Sequence, residues 1–279
     1  MIDSHQHFWR IDRGDYGWLT RALAPIYRDF GPDDLAPLLA RHGIARTILV
    51  QAAPTVAETA FLLSLAARTP FVAGVVGWVD FESPDAPRAI ATLARDPLLV
   101  GLRPMVQDMA DDDWLARAPL DRALDAMRAN GLVFDALVRP RHLSRLLAFV
   151  DRNHDLPIVL DHCAKPDIRN FGYSPWLADI EAVAERRHVT CKLSGLATEA
   201  AADWTADDLK LPAGHVIGAF GAERVLWGSD WPVLNLAGGY DRWRAATMTL
   251  LAEMTGDQRA AILGGNAGRI YLARRGRRA

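Results

Sequence analysis

Val225-Leu226-Trp227-Gly228-Ser229-Asp230 is an apolar run closed by polar residues, and the pattern recurs along the whole chain. Seven earlier runs share it, at residues 1–5, 47–51, 72–78, 98–103, 132–138, 158–162 and 189–194. They are short and rich in β-branched residues, which predicts strands rather than helices. Their near-continuous apolar character predicts strands buried on both faces, as in a parallel sheet. Helical patterns fall between and after them, at 33–40, 57–68, 84–95, 121–129, 141–153, 175–187 and 241–254. Gly43 and Gly131 supply stop signals, and His42 sits in a last turn, where a cation suits the helix dipole. Eight strands alternating with helices predict an α/β fold, and eight is the number that closes a (β/α)8 TIM barrel. The expectation is one barrel domain over residues 1–279, without internal repeats or low-complexity segments. An open, doubly wound sheet is the rival, but neither GxGxxG nor a Walker pattern follows the first run. Residues 10–32, with Tyr16, Trp18 and Tyr27, show little periodicity and are long for a plain connection. They are expected to fold over the barrel mouth.

Composition excludes several classes of function. Lys and Arg total 32 against 34 Asp and Glu, a net charge of -2 with both signs interspersed, so bulk electrostatics predict no nucleic-acid binding. The basic run Arg274, Arg275, Arg277 and Arg278 is expected to be a solvated terminus. The two cysteines, Cys163 and Cys191, form neither a CxxC pair nor a secreted framework. Reduced core thiols, the absence of a signal-like leader and the lack of any apolar stretch of ~18 residues predict a cytoplasmic protein with no membrane span.

In a barrel, chemistry collects at the C-terminal ends of the strands. The polar residues closing the runs are therefore the candidates: His5, His7, Gln51, Trp78, Arg103, His162, Lys192, Ser194 and Asp230. His5 and His7 are two apart on one strand, so both side chains point to one face. Two imidazoles buried there need partners. His162 and Asp230 close two further apolar runs; the lesser alternatives are a hydrogen-bonded core histidine for His162 and a helix N-cap for Asp230. Together these four side chains could hold a metal or bracket a reacting carbonyl. Arg103 suits carboxylate or carbonyl recognition. Lys192 alternates with Cys191 and Leu193 and is expected to point into the barrel. Trp78, Glu199 and Trp231 are expected to line the pocket. His142, His154, His188 and His215 read as structural or exposed.

Taken in order, Ile2-Asp3-Ser4-His5-Gln6-His7-Phe8-Trp9-Arg10, Val76-Gly77-Trp78, Val159-Leu160-Asp161-His162, Cys191-Lys192-Leu193-Ser194-Gly195-Leu196 and Gly228-Ser229-Asp230-Trp231-Pro232-Val233 resemble the sugar-lactonase branch of the amidohydrolase superfamily. The resemblance runs from the first residue to about Tyr271. It implies a barrel that hydrolyses a small sugar-acid (aldono) lactone of the L-fuconolactone kind. Asp230 would act as general base or metal ligand, with His5, His7 and His162 as catalytic groups or ligands beside it. Arg103 and Lys192 would meet the oxyanion or the hydroxyls. No carboxylated-lysine candidate falls on the fourth or fifth strand, so at most one metal is expected: a single Zn2+ on His5, His7, His162 and Asp230, or none. Two enzyme rivals stay open, a 2-pyrone-4,6-dicarboxylate lactonase and a metal-dependent decarboxylase. A non-catalytic barrel that binds a sugar acid is a third. The small-molecule lactone is the one partner expected.

Overall fold

A computed structural model describes residues 1–116 and 120–273; the basic run at 274–278 lies outside the described residues. Eight strands form one sheet in strict sequence order: β1 Ile2–Gln6, β2 Arg46–Val50, β3 Val72–Gly77, β4 Leu99–Leu102, β5 Val133–Ala136, β6 Ile158–Leu160, β7 Val189–Leu193 and β8 Val225–Trp227. Every neighbouring pair is parallel. The sheet closes just past β8. The Asp230 amide donates to the His5 carbonyl at 2.8 Å, and the His7 amide to the Trp231 carbonyl at 2.7 Å. This is the expected (β/α)8 barrel, and closure itself is what brings the first and last strands together.

The period-two alternation of the strands sorts their side chains. Ile48, Val50, Val76, Val100, Val133, Val159 and Leu226 fill the barrel interior. Leu49, Val75, Leu99, Phe134, Leu160 and Leu193 face outward. They pack under the helices α1 Pro32–His42, α2 Val56–Ala66, α3 Ala86–Leu93, α4 Leu120–Ala129, α5 Leu143–Arg152 and α6 Trp176–Ala184. The helical layer continues with α7 Leu196–Glu199, α8 Ala206–Phe220, α9 Gly239–Leu250 and α10 Gly256–Ala260. His42 ends α1 as expected, with Gly43 at φ 63° as its cap.

Sequence reasoning passed over α8. Its interior holds Pro212, Gly214 and Gly218, residues that normally break a helix pattern. Tertiary packing overrides them: Leu209, Pro212, Ala213, Val216 and Phe220 are all buried. The chain beyond α10 was also unforeseen. Two wide helical turns, Ala261–Gly265 and Gly268–Leu272, lie across the N-terminal end of the barrel. Asn266 Nδ2 donates to the carbonyls of Ala222 and Val225, each at 2.8 Å, at the foot of β8. Ile270 and Tyr271 enter the interior cluster from below. No described helix is long and apolar enough to cross a membrane.

Candidate active site

Four polar side chains meet at the C-terminal mouth, as the run ends predict. Asp230 Oδ1 lies 3.2 Å from His7 Nε2, 3.7 Å from His5 Nε2 and 4.0 Å from His162 Nε2. His5 Nε2 and His7 Nε2 are 3.2 Å apart. All four residues are buried. Two glycines make room for the rings. A Cβ at Gly195 would stand 2.7 Å from the His162 ring, and one at Gly228 would stand 2.8 Å from His5 Cβ.

The local backbone is strained here. His162, Cys163, Ala164 and Lys165 form a left-handed turn with φ between 53° and 57°, and Asp230 has φ 59°. Such geometry costs about 1–2 kcal/mol per non-glycine residue and concentrates at functional sites. The turn swings both His162 and Lys165 toward the cavity. Strand periodicity does not extend past β6, so it gave no sign of Lys165.

Beneath these side chains lies a layer of paired charges. Arg103, 3% exposed, donates to the Gln51 carbonyl, reaches Asp161 Oδ2 at 3.2 Å and lies 3.3 Å from His5 Nε2. Lys192 Nζ is 2.5 Å from Asp135 Oδ2, 3.0 Å from Asp161 Oδ1 and 3.1 Å from His5 Nδ1. Burial alone would raise the Asp161 carboxyl, but Lys192, His5 and Arg103 hold it well below the ordinary carboxylate range. Burial raises Asp135 to about 6, against the pull of Lys192. Asp230 would likewise be raised by burial, yet the imidazoles of His162, His7 and His5 hold it well below its usual range. Burial drives His162 down to about 4, so that ring is neutral at pH 7, and burial with the Lys192 charge holds His5 well below the ordinary imidazole range. Three carboxylates against two cations leave the cluster at -1, an environment that favours a positive guest.

The donor set fits one metal ion. His7 Nδ1 lies 2.8 Å from the Val50 carbonyl, which can only accept, so Nδ1 carries a hydrogen and Nε2 faces Asp230 and His5. Two ring nitrogens and a carboxylate oxygen converging in this way suit a cation or a shared proton between them. Ligands about 2.0–2.1 Å from a tetrahedral Zn2+ stand about 3.3 Å apart, close to the separations of 3.2, 3.2 and 3.7 Å among His5, His7 and Asp230. Asp161 Oδ1, 3.0 Å from Lys192 Nζ, also lies 3.5 Å from His5 Nδ1 and borders that edge of the ring.

Above the cluster opens a cavity of about 290 Å3. His7, Arg103, His162 and Asp230 form its floor. The walls are largely apolar, with Trp18, Leu23, Val233 and Leu236 from the loops after β1 and β8 and Met105 and Leu137 from those after β4 and β5. Gln107, Asp108 and Lys165, from the loops after β4 and β6, add polar groups. The segment 10–32 does fold over the mouth, and Trp18 Nε1 donates to the Ala52 carbonyl at 2.8 Å.

Four of the five residues expected to bind substrate are not among those lining this cavity; only Arg103 is. Lys192 points inward as expected but is wholly buried beneath the floor, held by two carboxylates. Trp231 is 2% exposed, packed edge-on to Phe8 and Phe30. Trp78 is half-buried, its backbone held by Thr59 Oγ1. Glu199 sits behind the rim, 3.9 Å from Lys165 Nζ. Sequence reasoning missed Asp135 and Asp161 as partners of the site. The signal was present, since a carboxylate inside an apolar strand run requires a buried partner.

Glu58 shapes the floor from behind. Its carboxylate accepts the amides of Ala52 at 3.0 Å and Ala53 at 2.9 Å. Burial raises it from an ordinary 4.5 to about 7, against those hydrogen bonds. The folded chain therefore keeps a proton there that the unfolded chain releases, and stability falls as pH rises from about 4.5 to about 7. Urea unfolding across this range should show Glu58→Gln removing as much as about 3 kcal/mol of that fall. Parallel pH curves for the variant and its parent would refute this.

A family of amidohydrolases, matched over residues 2–272, accounts for this arrangement, and the chain belongs to it. Within the family it is similar to a protein called L-fucono-1,5-lactonase in Burkholderia ambifaria, at 50% identity over 97% of this chain and 94% of that protein. A protein of the same name in Burkholderia multivorans is 39% identical over 97% of this chain and 95% of its own length. A crystal structure of a Burkholderia multivorans amidohydrolase with bound zinc superposes with a TM-score of 0.92 at 38% identity, covering 97% of this chain and 98% of that one.

Proposed function

We propose that this chain hydrolyses a sugar-acid lactone, and that L-fucono-1,5-lactone is its preferred substrate. It is a lactone hydrolase of the amidohydrolase superfamily. The carrying observation is the Asp230 carboxylate, ringed by His5, His7 and His162 on the floor of a cavity sized for one sugar ring. The half-identical lactonase relative supports the substrate class. Asp230 takes a proton from water as that water attacks the lactone carbonyl carbon. Arg103 and His162 meet the oxyanion that forms on the carbonyl oxygen. The ring C–O bond then breaks, and the leaving oxygen takes the proton from Asp230 to give an open hydroxy acid. Gln107, Asp108 and Lys165 are placed to meet the sugar hydroxyls, and the apolar wall to cover the exocyclic carbon.

His5, His7, His162 and Asp230 would hold a single Zn2+, which would polarise the carbonyl as a Lewis acid when bound. Equilibrium dialysis should find one Zn2+ per chain and no tight binding to His7→Ala. Two ions per chain, or none, would overturn this assignment. The free, buried thiols Cys163 and Cys191 support a reducing, cytoplasmic setting. A pH-indicator screen of aldonolactones tests the function. Opening of L-fucono-1,5-lactone with kcat/KM at least about tenfold above the other lactones is expected, the scale of one well-fitted group. Tight binding of the lactone without turnover would favour a non-catalytic barrel instead.

A further inference from the structure

We propose that Tyr271, on the segment closing the far end of the barrel, is a positioning residue for His5, acting through Asp135 and Lys192. The connection is continuous. Tyr271 rises among the interior side chains, and its hydroxyl lies 2.8 Å from both carboxylate oxygens of Asp135. Asp135 Oδ2 holds Lys192 Nζ at 2.5 Å, and that ammonium also lies 5.4 Å from the centre of the Tyr271 ring. Lys192 Nζ has three hydrogens and three partners: Asp135, Asp161 Oδ1 at 3.0 Å and His5 Nδ1 at 3.1 Å. All four members of the chain are wholly or almost wholly buried, so water does not compete for these contacts.

Lys192 Nζ at 3.1 Å and Asp161 Oδ1 at 3.5 Å clamp the edge of the His5 ring at Nδ1. The clamp is itself aimed by Asp135, and nothing but Tyr271 and Lys192 hydrogen-bonds to Asp135 side-chain oxygens among the described residues. Removing the Tyr271 hydroxyl frees the carboxylate to rotate, and the error passes through Lys192 to the ring that borders Asp230. A small misplacement of a group at the reacting centre lowers kcat more than substrate affinity.

Tyr271→Phe keeps the ring and its packing and deletes only the hydroxyl. The kcat for lactone opening should fall about fivefold or more with KM within about twofold, a split expected of lost positioning. The imidazole 15N signals of His5, assigned with His5→Gln, should shift while those of His215 stay in place. Ile270→Val, a packing change in the same plug, should leave kcat and the His5 signals within error. Should Tyr271→Phe fail to fold, Asp135→Asn tests the same connection from its middle and should give the same split. An unchanged kcat and unmoved His5 signals in Tyr271→Phe would overturn the proposal, as would an equal kcat loss in Ile270→Val. The kcat arm rests on the lactonase reading. If the parent chain opens no lactone, that reading fails, and the His5 signals alone decide the positioning role.

Discussion

Asp230→Asn should lose at least ~100-fold in kcat, the usual share of general-base catalysis, while remaining folded. The substitution is isosteric, so the amide fills the space of the carboxylate. What it removes is the one group on the cavity floor that is both anionic and unpaired by a fixed cation. Asp135 and Asp161 are tied to Lys192 and Arg103, whereas Asp230 faces three imidazoles and the cavity. The loss should fall on kcat, because proton removal from water belongs to the transition state and not to ground-state binding. Initial rates by pH indicator, with circular dichroism to confirm folding, measure both. Lactone opening by Asp230→Asn near the parent rate would sink the assignment of the base.

Lys192→Met should be the most damaging single change to stability. It leaves Asp135 and Asp161, both fully buried, short of their shared cation. Breaking a buried ion pair by removing one partner typically destabilises by about 3–5 kcal/mol, because an uncompensated charge remains. For a chain of this size that lowers Tm by on the order of 10 °C. A surface pair offers the contrast. Arg186 Nε sits 2.8 Å from Asp151, but the carboxylate side chain is 49% exposed. Arg186→Met should change stability by less than about 1 kcal/mol. Thermal unfolding of the two variants side by side is the measurement. A Lys192→Met variant as stable as Arg186→Met would show that the buried charges are not stabilised as described.

These expectations show how far local sequence information reaches. The eight strands were legible because parallel strands buried on both faces carry an apolar signal within each run. His5, His7, His162, Asp230 and Arg103 were legible because barrel geometry assigns the ends of such runs to the mouth. Helix α8 was hidden because Pro212, Gly214 and Gly218 lower local propensity, and only burial of its inner face against the barrel offsets them. The placement of Lys192 was half legible. Alternation said that it points inward, but not that carboxylates from two other strands would claim its charge.

The sequence by itself therefore determined the barrel, its eight strands and the polar run ends that supply the site, since these follow from periodicities of two and 3.6 residues. Only the tertiary structure decided which of those side chains line the cavity and which lie beneath its floor. The deciding contacts join residues far apart in the chain: Asp135 and Lys192 are separated by 57 positions, Asp135 and Tyr271 by 136, and His7 and Asp230 by 223. No local pattern encodes such a pairing. It arises when strand β8 closes on β1 and the last turns of the chain fill the open end below, taking water away from charges that must then find one another.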